Sequence, residues 1–281
     1  MERTAIRLGG VDLESSVMNA SGPHSAERGE IYELAEQHPG ALVFKSCNIA
    51  GLAAPENLKN RGVEHFAAIA RELAPRHKTI IASVVGNTEG EIAQVAGALD
   101  RAGVKIVELN LADDYVMTSV APFASYERLK ALVARVRAEI GAALAIKLPP
   151  RPGTLEPGAI AELLKETGVA IAVCANDLPK DLEIDVATGR IKGAARPLSQ
   201  AHTFWLLGAG AYDVVAVGGI NTGRDAYVAH LTGARAVAVG SALIKEGAGA
   251  LGRIDRELDG MLEKSGKRSV NEIVGRAQFD S

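Results

Sequence analysis

Short runs of Val, Ile, Leu and Ala alternate along the whole chain with stretches whose apolar residues recur every three or four positions. Continuous apolar runs are typical of buried parallel strands, whereas the wider spacing gives a helix one buried face. In Tyr126–Ile140, for example, Leu129, Leu132, Val133 and Val136 follow the helical spacing. The pattern therefore predicts alternating strands and helices.

Eight runs are predicted strands, and each is followed by a predicted helix. The predicted strands are Ser16–Ala20, Ala41–Lys45, Thr79–Val85, Val104–Leu111, Leu144–Leu148, Ala170–Cys174, Val214–Val217 and Ala236–Val239. The predicted helices are Glu27–Glu36, Val63–Leu73, Glu89–Ala102, Tyr126–Ile140, Gly158–Glu166, Ala201–Gly208, Asp225–Thr232 and Leu251–Lys264. Eight such units predict a (β/α)8 TIM barrel, in which the parallel sheet closes on itself.

The alternative fold is a doubly wound open sheet, but no GxGxxG loop follows the first predicted strand. The 281 residues contain no linker and no internal repeat, so we expect one domain spanning residues 1–281. A net charge of −3 without a basic run argues against nucleic-acid binding. We see no signal peptide and no membrane-length apolar run, and Cys47 and Cys174 form no disulfide or metal-binding pattern. These features predict a cytoplasmic protein without a membrane or nucleic-acid partner.

Long connections follow several predicted strands. In Ala175–Gln200, the segments Glu183–Val186 and Arg190–Lys192 flank a turn and predict a hairpin, which we expect to lie over the barrel mouth. Asn57–Gly62 and Ala112–Ala124 are predicted irregular loops at the same end. Active sites of TIM barrels lie at this C-terminal end of the strands.

Glycine-rich loops follow the last two predicted strands. Val217–Gly223 reads VGGINTG, and Gly240–Leu243 reads GSAL. Glycines let backbone N–H groups approach a phosphate, and a following helix adds its positive N-terminus. The two loops predict a phosphate site, although the phosphate could belong to FMN or to a sugar phosphate.

Polar residues stand at six strand ends where apolar residues would pack better. They are Asn19 and Ser21, Lys45 and Ser46, Asn87, Asn110, Lys147, and Asn176. A ring of amides and amines suits a planar heterocycle that is rich in hydrogen-bonding groups, and it lacks the carboxylates and histidines of a metal site. A lysine near N1 of an isoalloxazine would stabilise a reduced flavin.

Several motifs resemble those of the dihydroorotate dehydrogenase family, most closely its soluble class 1 members. They are MNASG, FKS, ELNL, IKLPP, the Asn of CAN, VGGINTG and VGSAL, and they follow the family's order over nearly the whole chain. The resemblance implies an FMN site lined by Ala20, Ser21, Gly22, Lys45, Ser46, Asn110, Lys147, Gly218, Gly219, Gly240 and Ser241. It also implies a substrate pocket at Lys45, Asn110 and Asn176, and a homodimer.

The substrate motifs depart from the family pattern. The family has Asn-x-Ser-Cys-Pro-Asn, or a variant with Ser for Cys, where this chain has Asn110–Tyr115. In the family, the Cys or Ser is the base and the last Asn binds the substrate ring. Asp113 stands at the position of the base, and Tyr115 stands at the position of that Asn. Asp177 replaces a serine after Asn176. Added carboxylates would repel the carboxylate of orotate. Asp113, at the position of the family's base, and Lys45 are the predicted catalytic residues. Tyr115, Cys47 and His24 are rival acids.

We expect an FMN oxidoreductase that transfers hydride between flavin N5 and dihydroorotate or a related small cyclic compound. Two alternatives remain open: a non-redox lyase or isomerase of a phosphorylated metabolite, and a flavin-binding protein without turnover. Since no iron–sulfur or FAD motif is present, the electron acceptor is expected to be a diffusible molecule or a partner subunit.

Overall fold

The computed structural model describes residues 3–37, 39–52, 59–76, 79–151, 153–175, 182–186, 188–192 and 197–279, and the side chains of 114 and 115 also lie outside this description. The strands are β1 (Ile6–Leu8), β2 (Val11–Leu13), β3 (Val17–Asn19), β4 (Leu42–Val43), β5 (Ile80–Val84), β6 (Ile106–Asn110), β7 (Ala143–Lys147), β8 (Ile171–Ala175), β9 (Glu183–Asp185), β10 (Arg190–Lys192), β11 (Asp213–Val217), β12 (Ala236–Val239) and β13 (Gln278–Phe279).

The helices lie mostly between these strands. They are α1 (Arg28–Glu36), α2 (Val63–Leu73), α3 (Glu89–Arg101), α4 (Asp114–Ser119), α5 (Tyr126–Arg137), α6 (Pro157–Glu166), α7 (Gln200–Gly208), α8 (Gly223–Leu231), α9 (Ser241–Glu246) and α10 (Gly249–Lys264). Short 3₁₀ turns cover Ala74–Arg76, Pro122–Ala124 and Val270–Glu272.

Eight parallel strands form the central sheet in the order β3-β12-β11-β8-β7-β6-β5-β4. The two end strands meet through a side chain: Asn19 Nδ2 donates to Val43 O (2.6 Å), and Asn19 Oδ1 accepts from Val43 N (2.9 Å). Gly40 N also donates to Val17 O (2.9 Å). The carboxamide therefore replaces one rung of backbone pairing and closes the sheet into the predicted (β/α)8 barrel.

An N-terminal hairpin of β1 and β2 covers the bottom of the barrel. Leu8 is fully buried and lines the barrel interior, and Gly9 N donates to Asp213 Oδ2 (2.8 Å) at the start of β11. The apolar runs of the central strands are buried on both faces, as parallel strands between helices require. The hairpin leaves the opposite, C-terminal end of the barrel as the place for a site.

The hairpin of β9 and β10 is present, but the expected position over the mouth is wrong. Tyr227 of α8 donates its hydroxyl to Val186 O (2.8 Å), and Arg224 of the same helix bonds Leu182 O. At the other end of α8, Gly189 lies beside Leu231. The hairpin thus runs down the outside of α8, because Leu182 and Ile191 bury their side chains against Val228 there.

Candidate functional site at the barrel mouth

Two glycine loops meet at one side of the mouth. Gly218 (φ +96°) and Gly219 (φ +80°) adopt left-handed backbone conformations that other residues rarely adopt, and both are exposed. The Ser241 hydroxyl donates to Asn221 Oδ1 (3.1 Å), which ties the loop after β12 to the loop after β11. The predicted phosphate residues of both loops therefore lie side by side.

The expected role of the α8 N-terminus in this site is not supported, because carboxylates occupy its amides. Asp225 Oδ2 accepts from the backbone N–H groups of Asn221 (3.0 Å) and Thr222 (2.9 Å), in a capping box. Glu257 Oε2 accepts from Gly223 N (2.7 Å). Burial would raise the pKa of Glu257, but Gly223 and Arg253 together hold it below its usual value. A phosphate here would instead meet the amides of the two glycine loops.

Gly223 has a packing role. A Cβ atom at this position would lie 2.4 Å from Glu257 Cβ and 2.5 Å from Leu258 N. Only glycine lets the first turn of α8 approach α10 this closely.

The end of β3 borders the phosphate side of the mouth. Ala20 N donates to Val239 O (2.8 Å), and a Cβ atom on Gly240 would lie 3.8 Å from Ala20 Cβ. Lys147, half-buried at the end of β7, donates from Nζ to Ser21 Oγ (3.1 Å). Ala20, Ser21 and Lys147 also line one cavity that extends into the barrel. The predicted cofactor residues of β3, β7 and the loop after β12 are thus brought together.

Lys45 and Ser46 follow β4 on the adjacent part of the mouth. Lys45 N donates to Ser25 O (2.9 Å), and the half-buried Lys45 lines a cleft together with Gly22 and His24. Ser46 is buried, and its hydroxyl accepts from Asn110 Nδ2 (2.9 Å) at the end of β6. The predicted residues Ser46 and Asn110 are therefore joined by a hydrogen bond, and Lys45 lies next to them in sequence.

The carboxamide of Asn110 has a free acceptor. Asn110 is 6% exposed, and its Oδ1 atom is buried and has no hydrogen-bond partner within the described part of the chain. A buried polar atom without a partner is costly unless a ligand supplies the missing group. Asn110 pairs in register with Lys147 on β7. A hydrogen-bond acceptor, Asn110 Oδ1, and an ammonium group, that of Lys147, thus stand on neighbouring strands at the same end of the barrel.

The predicted catalytic residue Asp113 is half-buried directly before α4, and its carbonyl accepts from Met117 N (2.9 Å). Aspartate is a common residue at the start of a helix, so this position also has a structural explanation. Asn176, predicted to bind substrate, and Asp177 lie outside the described residues, as do the side chains of Asp114 and Tyr115.

Two rival acids differ in their surroundings. Cys47 is buried, and the burial raises the pKa of its thiol to about 12, so it remains a protonated packing residue. His24 has a left-handed backbone (φ +55°) and lines the cleft beside Lys45. His24 is therefore the rival that stays close to the site.

Two buried polar residues, Glu108 and Asn48, were not among the site residues predicted from the sequence. Glu108 lies inside the barrel at 5% exposure, and its Oε1 accepts from Ser83 Oγ (2.7 Å). Asn48 is buried, and its Oδ1 has no partner among the described residues. A carboxylate inside the apolar run of β6 was the available signal for Glu108, because buried charges are rare without a partner.

The described part of the chain contains neither a candidate metal centre nor a candidate membrane-spanning helix. No group of three or more His, Cys, Asp or Glu residues in this part of the chain could hold a metal ion. Among the same residues, no helix is both long enough and apolar enough to cross a membrane.

Comparison with known proteins places this site in a family. The family model described as dihydroorotate dehydrogenase matches residues 55–262. The catalytic subunit of dihydroorotate dehydrogenase B (NAD(+)) from Desulforudis audaxviator is 30% identical, with 98% of this chain and 97% of that protein covered. Dihydroorotate dehydrogenase (fumarate) from Lachancea kluyveri is 26% identical over 94% of each chain.

Solved structures agree on the fold. The ligand-free dihydroorotate dehydrogenase of Eimeria tenella superposes with a TM-score of 0.80 at 17% identity, covering 98% of this chain and 92% of that chain. The family model and the curated relatives define the class of protein, a flavin-dependent oxidoreductase that acts on a small molecule. The chain belongs to the dihydroorotate dehydrogenase family.

Proposed function

We propose that this chain is an FMN-dependent enzyme that transfers hydride between flavin N5 and dihydroorotate or a related small cyclic compound. One observation carries the proposal. The buried Asn110 Oδ1, which has no partner among the described residues, and the Lys147 ammonium stand on neighbouring strands, in a barrel whose two terminal glycine loops adjoin. This arrangement offers an acceptor, a cation and a phosphate cradle to one elongated ligand.

The residues at the mouth fit FMN. We infer that Gly218, Gly219, Gly240 and Ser241 hold the phosphate, and that Ala20, Ser21, Gly22, Lys45, Ser46, Asn110 and Lys147 line the ring. When bound, FMN supplies a hydride acceptor at its N5 atom. Lys147, which donates to Ser21, would supply a positive charge to stabilise the negative charge of the reduced flavin.

We infer that Lys45, Asn110 and Asn176 bind the substrate ring, and that Asp113 accepts the proton released when hydride leaves. The position of Asp113 supports this role, since it lies half-buried in the loop that follows β6, at the C-terminal end of the barrel. Its carboxylate, and the change of the sequence to Asp at positions 114 and 177, would favour a substrate with N–H groups over one that presents a carboxylate.

Partners and setting complete the proposal. The relatives are named for fumarate and for NAD(+) as acceptors. We infer that this chain passes electrons to a diffusible acceptor or to a partner subunit, that residues 1–281 form one domain, and that the chain works as a cytoplasmic homodimer in pyrimidine biosynthesis.

A visible spectrum tests the cofactor, and an anaerobic titration tests the substrate. The purified protein should be yellow, or the apoprotein should become so with FMN, and dihydroorotate without oxygen should bleach the flavin band. A yellow protein that dihydroorotate leaves unbleached would mean another substrate or lost turnover. A protein that binds no flavin would overturn the proposal and favour a phosphorylated metabolite as the ligand of the glycine loops.

A further inference from the structure

Four buried side chains form a continuous hydrogen-bonded line from the interior of the barrel to its mouth. Ser83 Oγ donates to Glu108 Oε1 (2.7 Å), Ser46 Oγ lies 2.8 Å from Ser83 Oγ, and Asn110 Nδ2 donates to Ser46 Oγ (2.9 Å). All four residues are at most 6% exposed. Adjacent strands β5 and β6 carry Ser83, Glu108 and Asn110, and Ser46 follows β4.

The direction of this line follows from one end. An ionised carboxylate can only accept, so the single hydrogen of Ser83 points toward Glu108. Ser83 then accepts from Ser46, whose single hydrogen is thereby committed. Ser46 has only lone pairs left for Asn110, and it therefore meets the NH₂ group of that carboxamide. The carbonyl oxygen of Asn110 is left for the mouth, where it has no partner among the described residues.

We propose that Glu108 is a positioning residue, which acts through Ser83 and Ser46 to present the Asn110 carboxamide to the ligand as a hydrogen-bond acceptor. If the carboxamide turned over, its oxygen would face Ser46, and Ser46 would donate its hydrogen to that oxygen. Ser83 would then receive no hydrogen from Ser46, and two hydroxyl oxygens would face each other at 2.8 Å without a hydrogen between them. The buried carboxylate thus selects ligands with an N–H group at this point. The identity of that ligand rests on the proposed function, whereas the direction of the line does not.

Three variants distinguish the role of Glu108 as a hydrogen-bond acceptor for Ser83 from the role of its negative charge. Glu108→Gln keeps a carbonyl oxygen that Ser83 can donate to, and it should retain the direction of the line. Glu108→Met removes the acceptor at nearly constant volume. Ser83→Ala interrupts the line one residue later, leaves the carboxylate in place and changes a single oxygen, so it serves if Glu108→Met fails to fold.

Neutron diffraction from deuterated crystals of the apoprotein shows the direction. In the wild type and in Glu108→Gln, the deuterium atoms of Asn110 Nδ2 should point to Ser46. In Ser83→Ala and Glu108→Met, Ser46 should donate to Asn110 Oδ1, with the ND₂ group turned to the mouth. A residue that merely stabilised the barrel would alter the melting temperature without turning the carboxamide.

Two binding measurements show the consequence for the ligand. The fluorescence of FMN reports the binding of FMN, and the flavin absorption spectrum reports the binding of orotate. We expect Ser83→Ala to weaken at least one of the two about 5- to 30-fold, the range that loss of one or two kcal/mol gives, and Glu108→Gln to remain near wild type. An unturned carboxamide in Ser83→Ala, or equal losses in Ser83→Ala and Glu108→Gln, would overturn the inference. If the wild type binds no FMN, the proposed function fails, but the neutron maps still decide the direction of the line.

Discussion

The phosphate side of the barrel mouth and the side that carries Asp113 are built in different ways. On the phosphate side, the two glycine loops and the end of β3 are fastened by contacts such as Ser241–Asn221, Ser21–Lys147 and the pairing of Asn19 with Val43. On the other side, Asp113 stands before the short helix α4, and its sequence neighbourhood departs from the family motif. The glycine loops are thus held by side-chain contacts to neighbouring elements, whereas the segment before α4 differs from the family motif in sequence.

Replacement of Asp113 by Asn tests the divergent side and should have the largest effect. If Asp113 accepts the substrate proton, loss of its basic oxygen should slow flavin reduction by about 100- to 10,000-fold. Binding of FMN should be unchanged, because no predicted phosphate contact is touched. Stopped-flow reduction and FMN titration measure the two quantities.

Asp12→Asn is the matched control for this variant. Asp12 is an exposed carboxylate of β2 at the opposite end of the barrel, 3.8 Å from Arg7. Full activity in Asp113→Asn would mean that Asp113 has only a structural role at the start of α4. His24 would then be the rival acid to test.

Lys147→Met tests the flavin side. Removing the ammonium group should slow flavin reduction by about 100- to 1,000-fold, as loss of one preorganised group at a developing negative charge does elsewhere. In contrast to Asp113→Asn, it should also make the flavin harder to reduce, which a redox titration measures. Lys130→Met, an exposed lysine of α5 paired with Glu166, is the control. An unchanged reduction potential in Lys147→Met would place Lys147 away from the flavin ring.

Asn19→Leu separates stability from chemistry on the same side of the mouth. The substitution would leave Val43 N–H and C=O buried without their side-chain partners, so we expect the free energy of unfolding to fall by about 3 kcal/mol. Urea unfolding measures the loss, and Asn87→Ala, at an exposed position, is the control. Equal stability of the two variants would mean that Asn19 does not hold the barrel closed.

The sequence predicted the eight barrel strands because their apolar runs are buried on both faces, and it paired the correct loops at the mouth because parallel strands end on one side. The role of Asn19 could not be predicted from the sequence. It was grouped with the polar strand ends, but its side chain closes the barrel by bonding Val43 of β4, and a contact between two strands so far apart in sequence depends on the tertiary structure. The strands β1 and β2 have three residues each, too few for a recognisable period. The hairpin was misplaced because its apolar partner, Val228, is distant in sequence.

The smallest effect concerns His230, a buried histidine near the end of α8 that contacts Ser16, the residue before β3. Its Nε2 lies 3.0 Å from Ser16 Oγ and its Nδ1 lies 2.8 Å from Ala234 O. Burial lowers the pKa of His230 from 6.5 to about 4. The unfolded chain therefore binds a proton between these values that the folded chain does not, so stability falls as pH drops below 6.5. From pH 7 to 5 this histidine should cost about 2 kcal/mol. In His230→Asn, urea unfolding should show a correspondingly smaller loss between the two pH values. An equal loss in both proteins would show that His230 does not carry this acid sensitivity, and that other groups destabilise the folded protein in acid.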